Sequence, residues 1–479
     1  MINADLILTI FAVIFPLVEL AGIAAAVHAV MNARTSQGAM AWAISLVTFP
    51  WLALPLYAIF GRNKFNGYAL LRGTKDADVH HIIERVMAES NTRNLICENL
   101  PASQVALTRL AEMPTTRCNK TRLLIDGRET FNSIFQGIEA ATEYILVLFF
   151  IVKDDSLGRE LRSNLIQKAQ TGVKVYFLYD EIGCHSLPQS YLREMQAAGI
   201  ITSAFHSTKG RTNRFQLNFR NHRKIVVVDG KVAYVGGHNV GDEYLGRHPT
   251  FGPWRDTHVR VEGPAVQAVQ FCFVEDWYWA TSTIPELNWE VNRAADGREE
   301  ALIVASGPAD RLETCGLMFV QAINSATERV WIASPYFVPD LQTLSALKLA
   351  ALRGVDVRIL LPEKPDHRTV YLASFSYYQN TLPVGIKLYR YTAGFMHQKV
   401  FLIDAACAAV GTANLDNRSF RLNYEITLLN YDPDFVKAVD AMLVEDFSRS
   451  RPVTMEEYSR RSFFFKLAVR SARLLAPIL

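Results

Sequence analysis

Two long apolar stretches open the chain. Residues 6–30 contain one charged residue, Glu19, and residues 40–60 contain none. A bilayer core about 30 Å thick needs around 20 apolar residues in a helix, and both stretches reach that length. With only a short link over residues 31–38, the pattern predicts a two-helix transmembrane hairpin. A helix pair buried in a soluble core is the alternative, and a cleaved signal peptide is disfavoured because no basic residue precedes the first stretch.

Basic residues on either side of the second stretch predict the orientation of the hairpin. The link carries Arg34 alone, whereas Arg62, Lys64, Arg72 and Lys75 follow the second stretch. Loops rich in lysine and arginine stay on the cytoplasmic side of a membrane. The rest of the chain is therefore expected in the cytoplasm.

Helical patterns and short β-branched runs alternate through the remainder of the chain, which is typical of an α/β sheet. Residues 137–152 and 322–338 have similar sequences, each ending in an apolar strand. Each copy then leads through a helical segment to a Gly-Val turn, at Gly172 and at Gly354, and to a second apolar run. A repeat of this size predicts two α/β halves rather than a solenoid.

Each half also carries the same histidine motif. The histidine is followed by lysine at the second position, aspartate at the seventh, glycine at the fourteenth and asparagine at the seventeenth. The motif residues are His222, Lys224, Asp229, Gly236 and Asn239 in the first half, and His397, Lys399, Asp404, Gly411 and Asn414 in the second. Two matches at five fixed positions are not expected by chance, which favours a functional site over two isolated structural histidines.

The spacing indicates how these residues meet. A histidine and a lysine two residues apart on a strand share one face. The apolar run after them predicts a buried strand, the aspartate the turn that ends it, and the glycine the end of the next strand. Packed about a pseudo-twofold axis, the halves would place two imidazoles, two ammonium groups and two amides around one pocket.

Such a pocket suits phosphoryl transfer. One histidine would attack phosphorus, the other would act as general acid, and the lysines and asparagines would contact phosphate oxygens. The predicted catalytic set is the His, Lys and Asp of both motifs, with Asn239 and Asn414 as substrate-binding residues. Within this set, each aspartate is favoured as a support for the strand end. No metal or other cofactor is required.

Composition narrows the class of protein. The chain has 479 residues, 50% of them hydrophobic, which excludes a disordered or fibrous protein. Its net charge of +3 indicates no acidic partner such as nucleic acid. The six cysteines include no C-x-x-C pair, which disfavours a zinc site and a disulfide framework.

The doubled motif resembles the phospholipase D superfamily, and its surroundings resemble the bacterial cardiolipin synthases within it. The resemblance spans nearly the whole chain and is weakest over residues 66–115. It rests on residues 60–62, 221–225, 241–246, 254–258, 334–339 and 411–420. It implies that two phosphatidylglycerols give cardiolipin and glycerol through a phosphatidyl-histidine, at the bacterial inner membrane.

The same resemblance implies roles for four side chains. It points to His222 as the nucleophile and His397 as the acid and base, although the sequence alone does not distinguish the two halves. It also implies a carboxylate some thirty residues after each histidine, hydrogen-bonded to an imidazole. Asp256 and Glu425 fit that spacing and are the predicted orienting acids, with an ordinary surface or turn acid as the alternative for each.

One position departs from the superfamily pattern. Gly237 stands where a serine is frequent, whereas Thr412 keeps the hydroxyl in the second half. The first half is therefore expected to lack one hydrogen-bond donor in the pocket.

Two basic segments suggest contacts with anionic lipid headgroups. Residues 458–479 hold five basic residues and no acidic one, with Lys466, Arg470 and Arg473 on one face of a predicted amphipathic helix. The alternative for this tail is docking on the protein's own core. The other basic segment, residues 209–231, has a solvated loop as its alternative. It contains Lys209, Arg211, Arg214, Arg220, Arg223, Lys224 and Lys231.

The chain is thus predicted to be two phospholipase D-like α/β halves behind a transmembrane hairpin. A phosphatidyltransferase using phosphatidylethanolamine or serine, a nuclease of the same superfamily and an inactive membrane scaffold remain alternatives. The D-x2-D-G-x2-A-R signature of the metal-dependent route from CDP-diacylglycerol does not occur in the sequence. The predicted segments are the hairpin 1–65, a connecting segment 66–115, the halves 116–296 and 297–450, and the basic tail 451–479.

Overall fold

A computed structural model describes residues 4–61, 68, 77–205 and 218–479. They form two units. One comprises Met1–Gly73 with Ser207–Phe219, and the other comprises Thr74–His206 with Arg220–Leu479.

The described residues of the first unit include the helices α1 (Ala4–Asn32), α2 (Ser36–Thr48) and α3 (Pro50–Phe60). Helix α1 packs against both of the others. Nδ1 of His28 lies 2.8 Å from the hydroxyl of Tyr57, which ties α1 to α3. The small core of this unit consists of Ala26, Ala29, Leu46, Ala53 and Tyr57.

The second apolar stretch does not form the continuous helix that the sequence predicts. It breaks between α2 and α3, because Pro50 has no N–H to donate and disfavours helical geometry at Phe49. Among the described residues, one helix is long and apolar enough to cross a membrane, Ala12–Asn32.

The second unit begins with α4 (Ala77–Thr92) and α5 (Ala102–Ala111), which lie in the predicted connecting segment. The first half that follows contains β1 (Thr116–Ile125), α6 (Asp126–Ala140), β2 (Tyr144–Phe149), α7 (Ser156–Gln170), β3 (Lys174–Asp180), α8 (Gln189–Ala197), β4 (Ile201–Phe205), β5 (Arg220–Asn221), β6 (Ile225–Val228), β7 (Val232–Gly236), β8 (Trp254–Arg255), β9 (Thr257–Glu262) and α9 (Ala265–Thr281).

The second half repeats this order and adds the tail. Its elements are β10 (Glu299–Ser306), α10 (Thr314–Ser325), β11 (Arg329–Ala333), β12 (Phe337–Val338), α11 (Leu341–Leu352), β13 (Asp356–Pro362), α12 (Arg368–Phe375), α13 (Tyr378–Thr381), β14 (Lys387–Tyr391), β15 (Phe395–Met396), β16 (Val400–Ile403), β17 (Cys407–Gly411), β18 (Leu415–Asp416), α14 (Asn417–Arg421), β19 (Asn423–Asn430), α15 (Pro433–Ser448), β20 (Ser450–Pro452), α16 (Met455–Ser459) and α17 (Phe463–Leu474).

One sixteen-stranded sheet runs through both halves. Its order is β20-β14-β13-β11-β16-β17-β19-β10-β1-β9-β7-β6-β2-β3-β4, with β5 attached to β19. Without β20, this order is symmetric about the β1–β10 pair. Strands at equal distances from that pair are equivalent in the two halves, such as β2 and β11, or β6 and β16. The halves meet where the equivalent strands β1 and β10 pair antiparallel, as a twofold relation between them requires.

Each half has its own apolar core, and each core includes side chains from outside that half. Residues of β2 and β3 are buried on both faces of the sheet, as the continuous apolar runs predict. Phe395 of the second half packs into the core of the first. Leu107 and Ala111 of α5 pack into the core of the second.

The seven basic residues at 209–231 differ in their surroundings. Arg220 is partly buried and Lys231 is exposed. Lys209, Arg211 and Arg214 lie outside the described residues. Arg223 and Lys224 are buried, so neither interpretation of this stretch as a solvated or lipid-facing surface holds for them.

Candidate active site

Each histidine motif is brought to the site by a strand of the other half. Strand β5 pairs parallel with the start of β19, and the backbone N–H of His222 donates to the carbonyl of Tyr424 over 2.9 Å. Strand β15 pairs parallel with β8, and the N–H of His397 donates to the carbonyl of Arg255 over 2.8 Å. The two motifs therefore cross over between the halves.

The His-x-Lys segments precede their strands rather than lying on them. His222 and Lys224 are extended residues between β5 and β6, and His397 and Lys399 directly precede β16. The buried strands that follow, β6 and β16, and the glycines that end β7 and β17 are as predicted.

Glu425 on β19 holds the imidazole of His222. Nδ1 of His222 lies 2.9 Å from one carboxylate oxygen and 3.1 Å from the other. The same carboxylate accepts hydrogen bonds from the hydroxyls of Thr412, over 2.5 Å, and Ser419, over 2.8 Å, and from the amide of Asn423, over 3.0 Å. Burial by itself would raise the pKa of Glu425, but His222 and these donors outweigh it and lower the pKa. Glu425 is thus a buried group whose ionised form is favoured by its partners.

Asp256, between β8 and β9, holds the imidazole of His397. Nδ1 of His397 lies 2.7 Å from Oδ2, and the backbone N–H of Thr257 donates to Oδ1 over 2.8 Å. A Cβ atom at Gly237 would lie 2.0 Å from Oδ1 of Asp256. The glycine at position 237 therefore makes room for the carboxylate. The serine hydroxyl of the superfamily pattern is absent at this position, and Asp256 occupies the space that the serine side chain would need.

Two buried lysines lie beside the histidines. Nζ of Lys224 donates to the carbonyl of His222 over 2.6 Å, and Nζ of Lys399 lies 2.9 Å from Nδ1 of His397. Burial lowers the pKa of Lys224 to about 7 and that of Lys399 to about 8. Near neutral pH both therefore exchange protons readily, and a bound phosphate anion would favour their charged forms.

Both imidazoles favour the neutral form. Burial is the main cause that lowers the pKa of His222, opposed by the charge of Glu425. The pKa of His397 falls well below its usual range, through burial and then the charge of Lys399. Lys224 and His222 also act electrostatically on His397, so the groups of the two halves share one centre. Because each Nδ1 is engaged by a carboxylate, Nε2 is the nitrogen available for chemistry.

Aromatic rings form walls around the imidazoles. The ring of Phe150 meets that of His222 edge-on, with centroids 5.2 Å apart. Trp254 and Phe395 flank His397, with centroids at 5.2 and 6.0 Å. These apolar surfaces exclude water from both histidines, which is the main cause of their lowered pKa values.

The motif aspartates lie away from the imidazoles and support the strand ends. The carboxylate of Asp229 accepts hydrogen bonds from the backbone N–H groups of Thr142, Glu143 and Tyr144, each over 2.8 Å. Asp404 repeats this arrangement with the N–H groups of residues 327–329. Both aspartates have a left-handed backbone with φ of 52°, as expected at a tight turn.

The two motif asparagines differ from each other. The amide of Asn239 is used within the protein, accepting from the N–H of Ile151 and donating to the hydroxyl of Tyr244. Oδ1 of Asn414 is buried and has no hydrogen-bond partner within the described part of the chain. Of the two, Asn414 is the one with an unused polar atom.

Sequence reasoning missed two buried acids behind the motifs. Nη1 of Arg223 donates to both carboxylate oxygens of Asp276 on α9, over 2.8 and 2.9 Å. Asp446 on α15 accepts from Gln398, over 3.1 Å, and from Arg255, over 2.7 Å. Both acids fix the residue between His and Lys. A signal was available, since Val-Glu-Asp followed by an aromatic residue occurs at 274–277 and at 444–447.

A further pair beside His397 was also missed. The hydroxyl of Tyr336 donates to Asp366 over 2.5 Å, and the charge of Asp366 raises the proton affinity of His397 and Lys399. No local pattern marks Asp366, because its relation to the motif arises only from the packing of the loop after β13.

Two α/β halves that share one centre of paired histidines and lysines define a phospholipase D-type enzyme. A family profile described as "Cardiolipin synthase, PLD-like domain" matches residues 134–249 and 319–447. A second profile, described as "Phospholipase_D-nuclease N-terminal", matches residues 20–62. The chain belongs to the cardiolipin synthase family.

Individual relatives agree with this assignment. Cardiolipin synthase A of Pseudomonas putida strain W619 is 49% identical over 476 residues, covering 98% of each chain. Cardiolipin synthase A of Pseudomonas aeruginosa strain LESB58 is 49% identical over 469 residues, covering 96% of this chain and 95% of the relative. The crystal structure of a phosphatidylserine synthase from Haemophilus influenzae Rd KW20 matches with a TM-score of 0.57 at 14% identity, covering 79% of this chain and 100% of that one. The last match is evidence for the fold alone.

Proposed function

We propose that this chain transfers a phosphatidyl group from one phosphatidylglycerol to a hydroxyl of another, which yields cardiolipin and glycerol. The observation that carries the proposal is the pair of crossed histidine–carboxylate contacts, His222 with Glu425 and His397 with Asp256. A neutral imidazole with a carboxylate on Nδ1 is suited both to attack phosphorus and to move a proton through Nε2.

In the first step, Nε2 of His222 attacks the phosphorus of one phosphatidylglycerol. The bond from phosphorus to the headgroup glycerol breaks. His397, which takes up a proton when the anionic phosphodiester binds beside it, gives that proton to the departing oxygen. Glycerol leaves, and the phosphatidyl group remains on His222. Glu425 stabilises the positive charge that the ring of His222 carries in this intermediate.

In the second step, neutral His397 takes the proton from a headgroup hydroxyl of the second phosphatidylglycerol. That oxygen attacks phosphorus, the phosphorus–nitrogen bond breaks, and cardiolipin forms as His222 returns to its neutral state. Lys224, Lys399 and, through the N–H groups of its amide, Asn414 are the groups assigned to the phosphate oxygens. Asp229 and Asp404 are assigned a structural role. One phosphodiester replaces another, so the reaction requires neither ATP nor a CDP-lipid.

The proposal includes anchoring of the chain by the N-terminal helices as a multi-pass hairpin with the catalytic unit in the cytoplasm. The apolar side chains of Leu17, Leu20, Val27 and Val30 are 58–63% exposed, a face that lipid would cover. Helix α1 has the length to span a bilayer, while α2 and α3 would cross it together as a broken helix.

The topology is tested by labelling cysteines in intact cells with a membrane-impermeant maleimide. Gln37→Cys, in the exposed link, should react from outside. Leu312→Cys, exposed in the catalytic unit, should react only after permeabilisation. Reaction of both or of neither in intact cells would contradict the hairpin.

The reaction is tested with purified enzyme and vesicles of phosphatidylglycerol alone, followed by lipid mass spectrometry. Cardiolipin and glycerol should appear in equal amounts, and activity should persist in EDTA. Loss of activity in EDTA that Mg²⁺ restores would instead indicate a metal-dependent route. Vesicles that also contain phosphatidylethanolamine, and a DNA-cleavage assay, distinguish the alternative donor and the nuclease.

Reversal provides a second test. Cardiolipin vesicles incubated with labelled glycerol should yield labelled phosphatidylglycerol, because any hydroxyl that reaches the histidine intermediate can accept the phosphatidyl group. An enzyme that is active in the forward direction but gives no labelled phosphatidylglycerol would refute transfer through a reversible intermediate.

A further inference from the structure

The tail of the chain forms an amphipathic helix with two unlike faces. The inner face of α17 is docked on the second half: Val469 and Ala472 are buried, and the ring of Phe465 meets that of Phe375 at 5.3 Å. The tail therefore does pack on the protein's own core. Its outer face remains to be explained.

The outer face of α17 is apolar and uncovered. Phe463, Phe464, Leu467 and Leu474 are 51–81% exposed, so they contribute little to the core of the protein. At about 100° per residue, Phe463, Leu467 and Leu474 fall within about 40° of one another around the helix. Four large apolar side chains on one short helix are a common feature of interaction surfaces.

Basic side chains flank this outer face. Lys466, Arg470 and Arg473 follow it along one side of the helix, and Arg461 precedes it. These four groups contact neutral partners, such as the ring of Tyr377 beneath Arg473. The apolar face is thus bordered by positive charge. This combination is complementary to a bilayer of anionic lipid, which offers apolar chains beneath negative headgroups.

The residues that follow α17 contact the helix α14, which adjoins the orienting acid Glu425. The backbone N–H of Arg418 donates to the carbonyl of Leu479 over 2.9 Å, and its guanidinium donates to the carbonyl of Ile478 over 2.9 and 3.2 Å. Arg418 lies on α14 next to Ser419, whose hydroxyl donates to Glu425. A continuous path of contacts therefore joins the tail to the carboxylate that holds His222.

We propose that the outer face of α17 rests on an anionic bilayer, and that residues 476–479 transmit this placement to the α14 turn that positions Glu425. Arg418 and Ser419 are positioning residues in this scheme. The docking part stands independently of the reaction, whereas the positioning part rests on the proposed function.

Docking is tested with the full chain in nanodiscs, using an environment-sensitive dye on Phe464→Cys in a Cys118→Ser background. The matched control is Ile201→Cys, an exposed apolar site on β4, at the opposite end of the sheet from β20. In discs of phosphatidylcholine with phosphatidylserine, nitroxide lipids should quench the dye at 464 several-fold more than at 201. The difference should shrink in pure phosphatidylcholine and in high salt. Equal quenching at both sites would overturn the docking.

The consequence for activity is tested with Phe463→Ser/Phe464→Ser and, as control, Ile201→Ser. The tail variant should lose about tenfold in rate on vesicles of phosphatidylglycerol, because it lacks the two aromatic side chains that the bilayer would bury. On monomeric short-chain phosphatidylglycerol it should match the wild type. Equal loss on both substrates, or no loss on vesicles, would overturn the proposal. If the wild type made no cardiolipin, the proposed function would fail while the quenching result stood.

The positioning part is tested by deleting residues 476–479 and, separately, by Arg418→Lys. Both should lower kcat on the short-chain substrate with KM unchanged, the lysine less because it keeps one donor, while quenching at 464 persists. Thermal unfolding checks that each variant is folded. A change confined to KM, or no change in kcat, would overturn the link to Glu425.

Discussion

The two halves hold their histidines by the same backbone scheme but with unlike acids. Glu425 receives three side-chain donors besides His222, namely Thr412, Ser419 and Asn423. Asp256, one methylene shorter, receives one backbone N–H besides His397. Hydroxyl and amide donors hold the longer side chain, that of Glu425. The shorter side chain, that of Asp256, occupies the space beside Gly237, where a Cβ atom would clash with it.

This difference shows how an almost symmetric fold supports two unequal roles. A phosphatidyl-histidine persists between two steps, and a firmly fixed carboxylate at Nδ1 stabilises its positive charge, which suits His222. A general acid must gain and lose a proton in each cycle. Lys399, 2.9 Å from Nδ1 of His397, opposes positive charge on that ring and so eases proton release. We therefore expect substitutions in the two halves to have unequal effects.

The largest effect is expected from the histidines. His222→Asn and His397→Asn should each lower activity by at least about 10³-fold with the fold retained, since both act in one unit. Mass spectrometry after rapid denaturation at mildly alkaline pH, where the phosphorus–nitrogen bond survives, should detect a phosphatidyl adduct on His222 in the His397→Asn enzyme and none in the other. Near wild-type turnover of either variant would refute the two-histidine mechanism, and an adduct on His397 would exchange the roles.

The orienting acids come next. Glu425→Gln should lower kcat by about 10²–10⁴-fold, because a neutral amide no longer stabilises the imidazolium. Asp256→Asn should lower kcat less, since fewer donors depend on that carboxylate. Steady-state kinetics on short-chain phosphatidylglycerol separate kcat from KM. An effect confined to KM would reassign the residue to substrate contact, and equal losses would contradict the inequality of the halves.

Position 237 tests why the acids differ. Gly237→Ala should lower kcat about tenfold, because the new methyl displaces Asp256 from His397. Gly237→Ser adds the same Cβ but supplies a hydroxyl that can donate to the displaced carboxylate, so it should retain more activity than the alanine. Thr412→Val is the counterpart in the second half and removes one donor from Glu425. If Gly237→Ala were fully active, the space at this position would not matter for the acid.

The smallest effect concerns pH. The pKa values of Lys224 and Lys399 are lowered to about 7 and about 8, so their positive charge is lost as pH rises through that range. If the charged form of Lys399 alone is needed on the phosphate, kcat/KM should fall by a few-fold between about pH 7 and pH 8.5. Lys399→Arg keeps its charge, so its alkaline limb should move to higher pH if the variant is folded. An unchanged limb in the arginine variants of both lysines would exclude them as its cause.

The sequence was informative wherever structure depends on neighbours along the chain. Strands β2, β3, β11 and β13, the turns at Asp229 and Asp404, and the glycines that end β7 and β17 follow from local apolar runs and turn residues. The break at Pro50 was available from the same rules but was outweighed by the length of the apolar stretch.

Contacts between the halves were beyond such reasoning. Glu425 is 203 residues from the histidine it holds, and Asp256 is 141 residues from His397. The spacing of about thirty residues after each histidine located both acids, yet each serves the histidine of the other half. The amide of Asn239 is consumed within the protein, which the position of this residue in the motif does not indicate.

The crossed pairing has a consequence for how such a chain can change over generations. A duplicated segment ordinarily leaves one copy free to accumulate mutations while the other keeps the original task. Here neither copy possesses a complete histidine–carboxylate pair, because each contributes the base to one pair and the acid to the other. Loss of either copy disables both pairs at once. Neither copy can therefore be lost independently of the other, although their acids, Asp256 and Glu425, differ.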